Sequence, residues 1–141
     1  MSPEEEQEAR GVIVEYARKQ IGKKYRLGVE VPLGAESSPA WDCSELFEAA
    51  YYRAKLRIPD GSNYQYAHCL PIQKPEPGDL GFLWSDKWDR IGHVMGYIGN
   101  GRVIHAVGGR GVVEDDAKPW ESSVRWRGWR RHRAFKQEQD T

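Results

Sequence analysis

At Gly78 the chain changes its hydrophobic period, and this change constrains the fold more than any other feature. Before it, apolar residues recur at helical spacing. Val12, Ile13, Tyr16, Ala17 and Ile21 predict a helix over 4–21, and Leu46, Phe47, Ala50, Tyr51 and Ala54 predict a second over 43–56. After it come short apolar runs bounded by turn residues, at 80–84, 93–98 and 102–107, with 112–114 and 129–135 as further candidate strands. Helices first and antiparallel strands afterwards describe an α+β domain. Neither an internal repeat nor a linker interrupts the 141 residues, so 1–141 reads as a single domain.

Local signals set the helix ends. Glu4, Glu5 and Glu6 suit the positive end of the first helix, and Gly22 can stop it. Asp42 is a good N-cap for the second, where Glu45 can complete a capping box. The stretch 23–40 reads as a loop, and 58–77 as polar and turn-rich with a short helix near 62–68.

Charge excludes little: 21 Lys and Arg balance 21 Asp and Glu, so no anionic or cationic partner is selected. The basic, Trp-containing end, from Arg125 to Arg133, could bind an anionic polymer, but we expect a final edge strand carrying charges outward. A nucleic-acid partner is not expected. No apolar run approaches the roughly 20 residues of a membrane helix. The acidic start is no secretory signal, so synthesis in the cytoplasm is expected. Cys43 and Cys69 could form one bridge, but a chain this long does not need one.

Cys43 directly follows the N-cap. Backbone N–H groups in a helix's first turn favour a negative sulfur and could hold a developing oxyanion. The bland alternative is a small buried residue at a helix start. The histidines favour the first reading. His93 and His105 flank Gly99-Asn100-Gly101. A two-residue Asn-Gly turn closing 98 on 103 would put them on opposite faces. A three-residue loop with Gly101 as a bulge pairs 98 with 102, so 95 faces 105 and 93 faces 107. The two histidines then share a face as a diagonal pair about 7–8 Å apart at the backbone. They could instead be core histidines satisfied by backbone groups. Zinc ligation by Cys43, His93 and His105 lacks compact spacing, and neither metal nor cofactor is expected.

Four segments in order, Asp42-Cys43-Ser44-Glu45-Leu46, Pro77-Gly78-Asp79-Leu80, the run from Gly92-His93 to Gly101, and Val103-Ile104-His105-Ala106, resemble the NlpC/P60 cell-wall cysteine peptidases over roughly residues 12 to 108. The resemblance implies a papain-like fold, Cys43 attacking an amide carbonyl, His93 carrying the proton and His105 orienting it. It implies peptidoglycan stem peptides as substrate, cut after D-glutamate at its γ-linkage to the diamino acid. Tyr25, Asp42 and Ser44 match positions that line the site or contact substrate. Ser62 and Gln65 resemble a serine–glutamine pair, with Gln65 expected on the substrate side. The family's glycine after Cys-Ser is Glu45 here, whose charge should slightly oppose thiolate formation. A lone domain of this kind looks like a phage or prophage enzyme, virion-associated or released to the wall, with phage tail proteins as candidate partners. The alternative is a non-catalytic wall-binding or virion structural module on the same fold. Cys69 and Trp41 are expected to be packing residues.

Overall fold

In the computed structural model, which describes residues 1–140, the chain runs α1 (Pro3–Lys19), β1 (Lys24–Tyr25), β2 (Ala40–Trp41), α2 (Cys43–Arg53), α3 (Ser62–His68), β3 (Cys69–Ile72), β4 (Leu80–Ser85), β5 (Arg90–Gly99), β6 (Arg102–Val107), β7 (Gly111–Asp116), α4 (Lys118–Glu121) and β8 (Trp126–His132), closing in a 3-10 turn at Glu138–Asp140. The α+β expectation holds. Helix α1 starts at a complete capping box, Ser2 with Glu5. Helix α2 starts at Asp42, whose carboxylate accepts from the Glu45 N–H. Glu45 does not close the expected box. Its carboxyl accepts from the Val31 N–H at 3.0 Å and ties down the 26–35 loop instead.

Strands β3 to β8 form one antiparallel sheet in the order β3-β8-β4-β5-β6-β7. Strict alternation sorts its side chains. Leu80, Phe82, Val94, Ile104 and Ala106 face the helices and pack with Ile13, Tyr16, Leu46, Phe47, Ala50 and Tyr51. Leu83, Met95, Val103 and Trp129 face the other way into a second cluster covered by Trp120 and Trp126. The apolar character of both hairpin faces follows from this two-sided burial.

The C-terminal basic segment corrects an expectation. Strand β8 is not an edge; it lies between β3 and β4. Arg131 is buried, and its guanidinium meets the Asp79 carboxylate, which also accepts from Arg10. Arg130 lies 3.6 Å over the Tyr66 ring, and Arg125 pairs with Asp86. Much of this cationic stripe is therefore neutralised or stacked within the fold. Trp41 is fully buried, its indole N–H donating to Gln20. Cys69 is fully buried, and both cysteines are free thiols.

Glycine sets the closest approach between layers. A Cβ at Gly96 would run into the Phe47 ring. Helix α2 thus rests directly on the β5 backbone, which fixes the height of its N-terminus, and of Cys43, above the strand.

Candidate active site

The β5–β6 hairpin delivers the two histidines to one face, though by a turn other than the expected one. Asn100 and Gly101 both have positive φ, 54° and 72°, and Gly99 pairs with Arg102, which describes a two-residue primed turn. A register shift between Tyr97 and Gly99 inserts a bulge, after which Tyr97 pairs with Val103 and Gly96 with Ile104. The bulge restores the parity that a simple two-residue turn would have broken. His93 Nε2 lies 2.8 Å from His105 Nδ1.

The chain of contacts continues further than the sequence reading reached. His105 Nε2 lies 2.8 Å from Asp115 Oδ2, and Arg110 grips the same carboxylate with both terminal nitrogens, at 2.8 and 2.7 Å. Asp115 stands opposite Val103 on β7, diagonal to His105 on the same face. The candidate strand ended at residue 114, one short of it. Pairing β7 to β6 across the Gly108-Gly109-Arg110 turn would have exposed the relation. Trp120, from α4, roofs both imidazoles. Its ring stacks on His93 with centroids 6.0 Å apart and meets His105 edge-on at 4.9 Å.

Cys43 reaches β5 where that strand, still paired with β4, has lost its β6 partner. The β5–β6 pairing runs from the turn to Gly96↔Ile104. Beyond it, Cys43 Sγ lies 3.9 Å from the Gly92 carbonyl oxygen, and the Val94 N–H points at the sulfur. The thiol thus docks on the two peptide groups that bracket His93. The backbone N–H groups of Cys43 and Ser44 also favour the thiolate, but burial outweighs them and pushes the thiol up to about 12. Burial likewise pushes His93 down to about 3, helped by His105. The thiol and the imidazole are therefore each neutral at rest, so the first-turn N–H groups favour a thiolate, as expected, without forming one in the free protein.

A cleft of about 430 Å³ opens beside Cys43, and Tyr25, Asp42, Ser44, Glu45 and Ser62 line it. Asp42 accepts from the Glu45 and Gly28 N–H groups and from the Ser44 hydroxyl, so one carboxylate holds both the helix start and the cleft loop. Gln65 does not face this cleft. It is fully buried, and its amide donates to the Ser44 and Pro59 carbonyls at 3.0 Å each, bracing the Cys43 turn from behind. Burial raises the Glu45 carboxyl above the usual carboxylate range, which weakens the negative charge expected beside the thiol. Among the described residues, the side chains arranged around a point that could hold one cation are Glu30, Glu45 and Asp60, not Cys43 and the histidines.

Residues 22–134 match the NlpC/P60 family. The chain is 35% identical over 105 residues to "Murein DD-endopeptidase MepH" of Escherichia coli, covering 71% of this chain and 37% of that protein. It is 30% identical over 124 residues to "Gamma-DL-glutamyl hydrolase" of Bacillus subtilis, covering 83% of this chain and 27% of that protein. The peptidoglycan hydrolase RipB of Mycobacterium tuberculosis shares the fold, with a TM-score of 0.74 at 22% identity, over 96% of this chain and 69% of that one. The chain spans 17% to 37% of the length of the curated relatives it matches.

Proposed function

Because the chain belongs to the NlpC/P60 family, we propose that it is a cysteine peptidase that cleaves an amide bond in bacterial peptidoglycan stem peptides. The observation that carries this reading is the arrangement of Cys43 on the peptide groups that flank His93, His93 on His105, and His105 on Asp115. A packing cysteine needs no such partners, and a wall-binding module needs no aligned imidazoles.

His93 Nε2 is committed to His105, which leaves Nδ1 for the thiol proton. As Cys43 Sγ attacks the carbonyl carbon, its proton passes to His93 Nδ1, and the new imidazolium donates Nε2–H to His105. The oxyanion develops near the first-turn N–H groups of Cys43 and Ser44. The C–N bond then breaks, the leaving amine takes the proton from His93, and a thioester to Cys43 remains. Water attacks the thioester, with His93 taking its proton, and the acid product leaves as the thiol is regenerated. Starting from a neutral pair is compatible with this sequence, because the charges appear together and hold each other.

We place the scissile bond at the γ-linkage between D-glutamate and the diamino acid. The family resemblance and the relative named as a γ-DL-glutamyl hydrolase support this choice. In this reading the chain reaches the wall as a virion-associated or released enzyme. Digestion of purified muropeptides followed by mass spectrometry tests it. The expected result is fragments ending in free γ-D-glutamate, lost in Cys43→Ala while the far-UV spectrum and melting temperature persist. Intact muropeptides from several wall chemotypes, or equal cleavage by Cys43→Ala, would refute the reading. Cleavage between D-residues would move the bond but keep the chemistry.

A further inference from the structure

The hydrogen-bond chain behind His93 has a direction, and the direction is set at its far end. Arg110 reaches Asp115 through two hydrogen bonds and holds its carboxyl well below the usual carboxylate range. An ionised carboxylate only accepts, so at 2.8 Å the proton between Asp115 and His105 sits on His105 Nε2. Burial lowers His105, so the ring is neutral and its Nδ1 is bare. A bare Nδ1 accepts, so His93 must present Nε2–H to it. His93 is neutral in turn, which leaves its Nδ1 without a proton. Each ring passes the polarity on, and His93 Nδ1 is left as the free lone pair at the near end, on the residue whose flanking peptide groups hold the thiol.

We propose that Asp115, clamped by Arg110, is a positioning residue that selects the tautomer of both imidazoles and so keeps His93 Nδ1 available as the base. The proposal rests on the reading of Cys43 and His93 as the reacting pair. Without the charge at Asp115, His105 could carry its proton on Nδ1. His93 would then point a bare Nε2 at it and carry its proton on Nδ1, which could no longer accept the thiol proton. The bland alternative is an ion pair that merely closes the β6–β7 turn. It predicts a loss of stability with no preference between tautomers.

The test uses the full chain with 15N-labelled histidine, of which there are four. Long-range proton–nitrogen spectra of the parent should show His93 and His105 both protonated at Nε2. In Asp115→Asn, whose amide can either donate or accept, both rings should become mixtures of tautomers. In serine triads the analogous loss, directly on the base, costs about 10⁴-fold in kcat. One ring further away we expect about 10–100-fold, with KM unchanged. Asp115→Glu should recover part of both effects. Arg110→Gln, at an exposed position, keeps the carboxylate but loosens its hold, and should fall between parent and Asp115→Asn. Glu114→Gln is the control. It removes ion pairs to Arg18 and Arg102 on the other face of β7 and should leave tautomers and kcat as in the parent. If Asp115→Asn does not fold, Arg110→Gln carries the same comparison. A folded variant with parental tautomers and parental kcat would overturn the proposal. Should the parent cleave no muropeptide, the function reading fails, while the spectra still decide the role of Asp115.

Discussion

Asp79→Ala removes a carboxylate shared by two buried guanidinium groups, and its cost can be worked from the contacts. Asp79 is fully buried. Its Oδ1 accepts from Arg10 Nη1 at 3.0 Å and Arg131 Nε at 3.1 Å, and its Oδ2 from Arg131 Nη2 at 2.9 Å and the Glu76 N–H at 2.8 Å. Arg10 and Arg131 are only 2% and 3% exposed, so neither can turn to water. Both keep other acceptors: Pro77 O and Glu6 for Arg10, Lys136 O and Glu76 for Arg131. Breaking a buried pair from one side costs about 3–5 kcal/mol, and these residual acceptors place the expectation near 3. An unfolding entropy of about 2.1 cal/mol/K per residue gives roughly 0.3 kcal/mol/K for a chain of this length, hence a fall of about 10 °C in Tm. Urea unfolding should show a lower midpoint at unchanged slope. Adding Arg131→Met should return part of the loss, since it removes one of the stranded charges. A loss below about 1 kcal/mol, or a double variant no better than the single, would refute the reasoning, because the carboxylate would then not be what neutralises the two arginines.

Two further outcomes follow from packing and from protonation. Gly96→Ala should cost about 1–3 kcal/mol, since the new Cβ meets the Phe47 ring, and Phe47→Leu in the same chain should relieve part of it; a chemical-denaturation series on the three variants checks this. Stability should fall on acidification. Unfolded histidine takes its proton near pH 6.5, whereas folded His93 resists until about 3, so the contribution of His93 is complete above pH 6.5 and is lost as pH drops through that window. The slope is at most about 1.4 kcal/mol per pH unit for one such group. His93→Gln should flatten it in urea titrations between pH 7 and 4, and equal slopes for parent and variant would count against the assignment.

Much of the fold was readable because its signals are local. The 3.6-residue period in α1 and α2, the Asp42 cap, the short helix at Ser62–His68 and five of the six strands of the main sheet all follow from neighbours in sequence. Strand β3 was missed, with Pro71 in a polar stretch that offers no alternation. Strand order is not a local property, and Arg131 shows why this matters. In sequence it is one arginine among five, but only the placement of β8 beside β4 brings it onto Asp79. Gln65 failed for a related reason. The family resemblance placed it on the substrate side, whereas its position behind the Ser44 carbonyl depends on how α3 docks. The histidine pair was found by parity, through a turn that the structure replaces with a different turn and a compensating bulge.

That bulge ties the chemistry to the core. Substitutions alter one side chain at a time, but the relative phase of His93 and His105 changes only when a residue is inserted or deleted between them. The same slip would rotate Val94 or Ile104 out of the helix-facing layer, because imidazoles and aliphatic side chains alternate on the same two strands. A lineage that kept this domain folded would therefore purge length changes in the hairpin even where hydrolysis was no longer under selection. The alignment of the two rings should outlast the activity, and in such descendants Cys43 should drift before the histidines move apart.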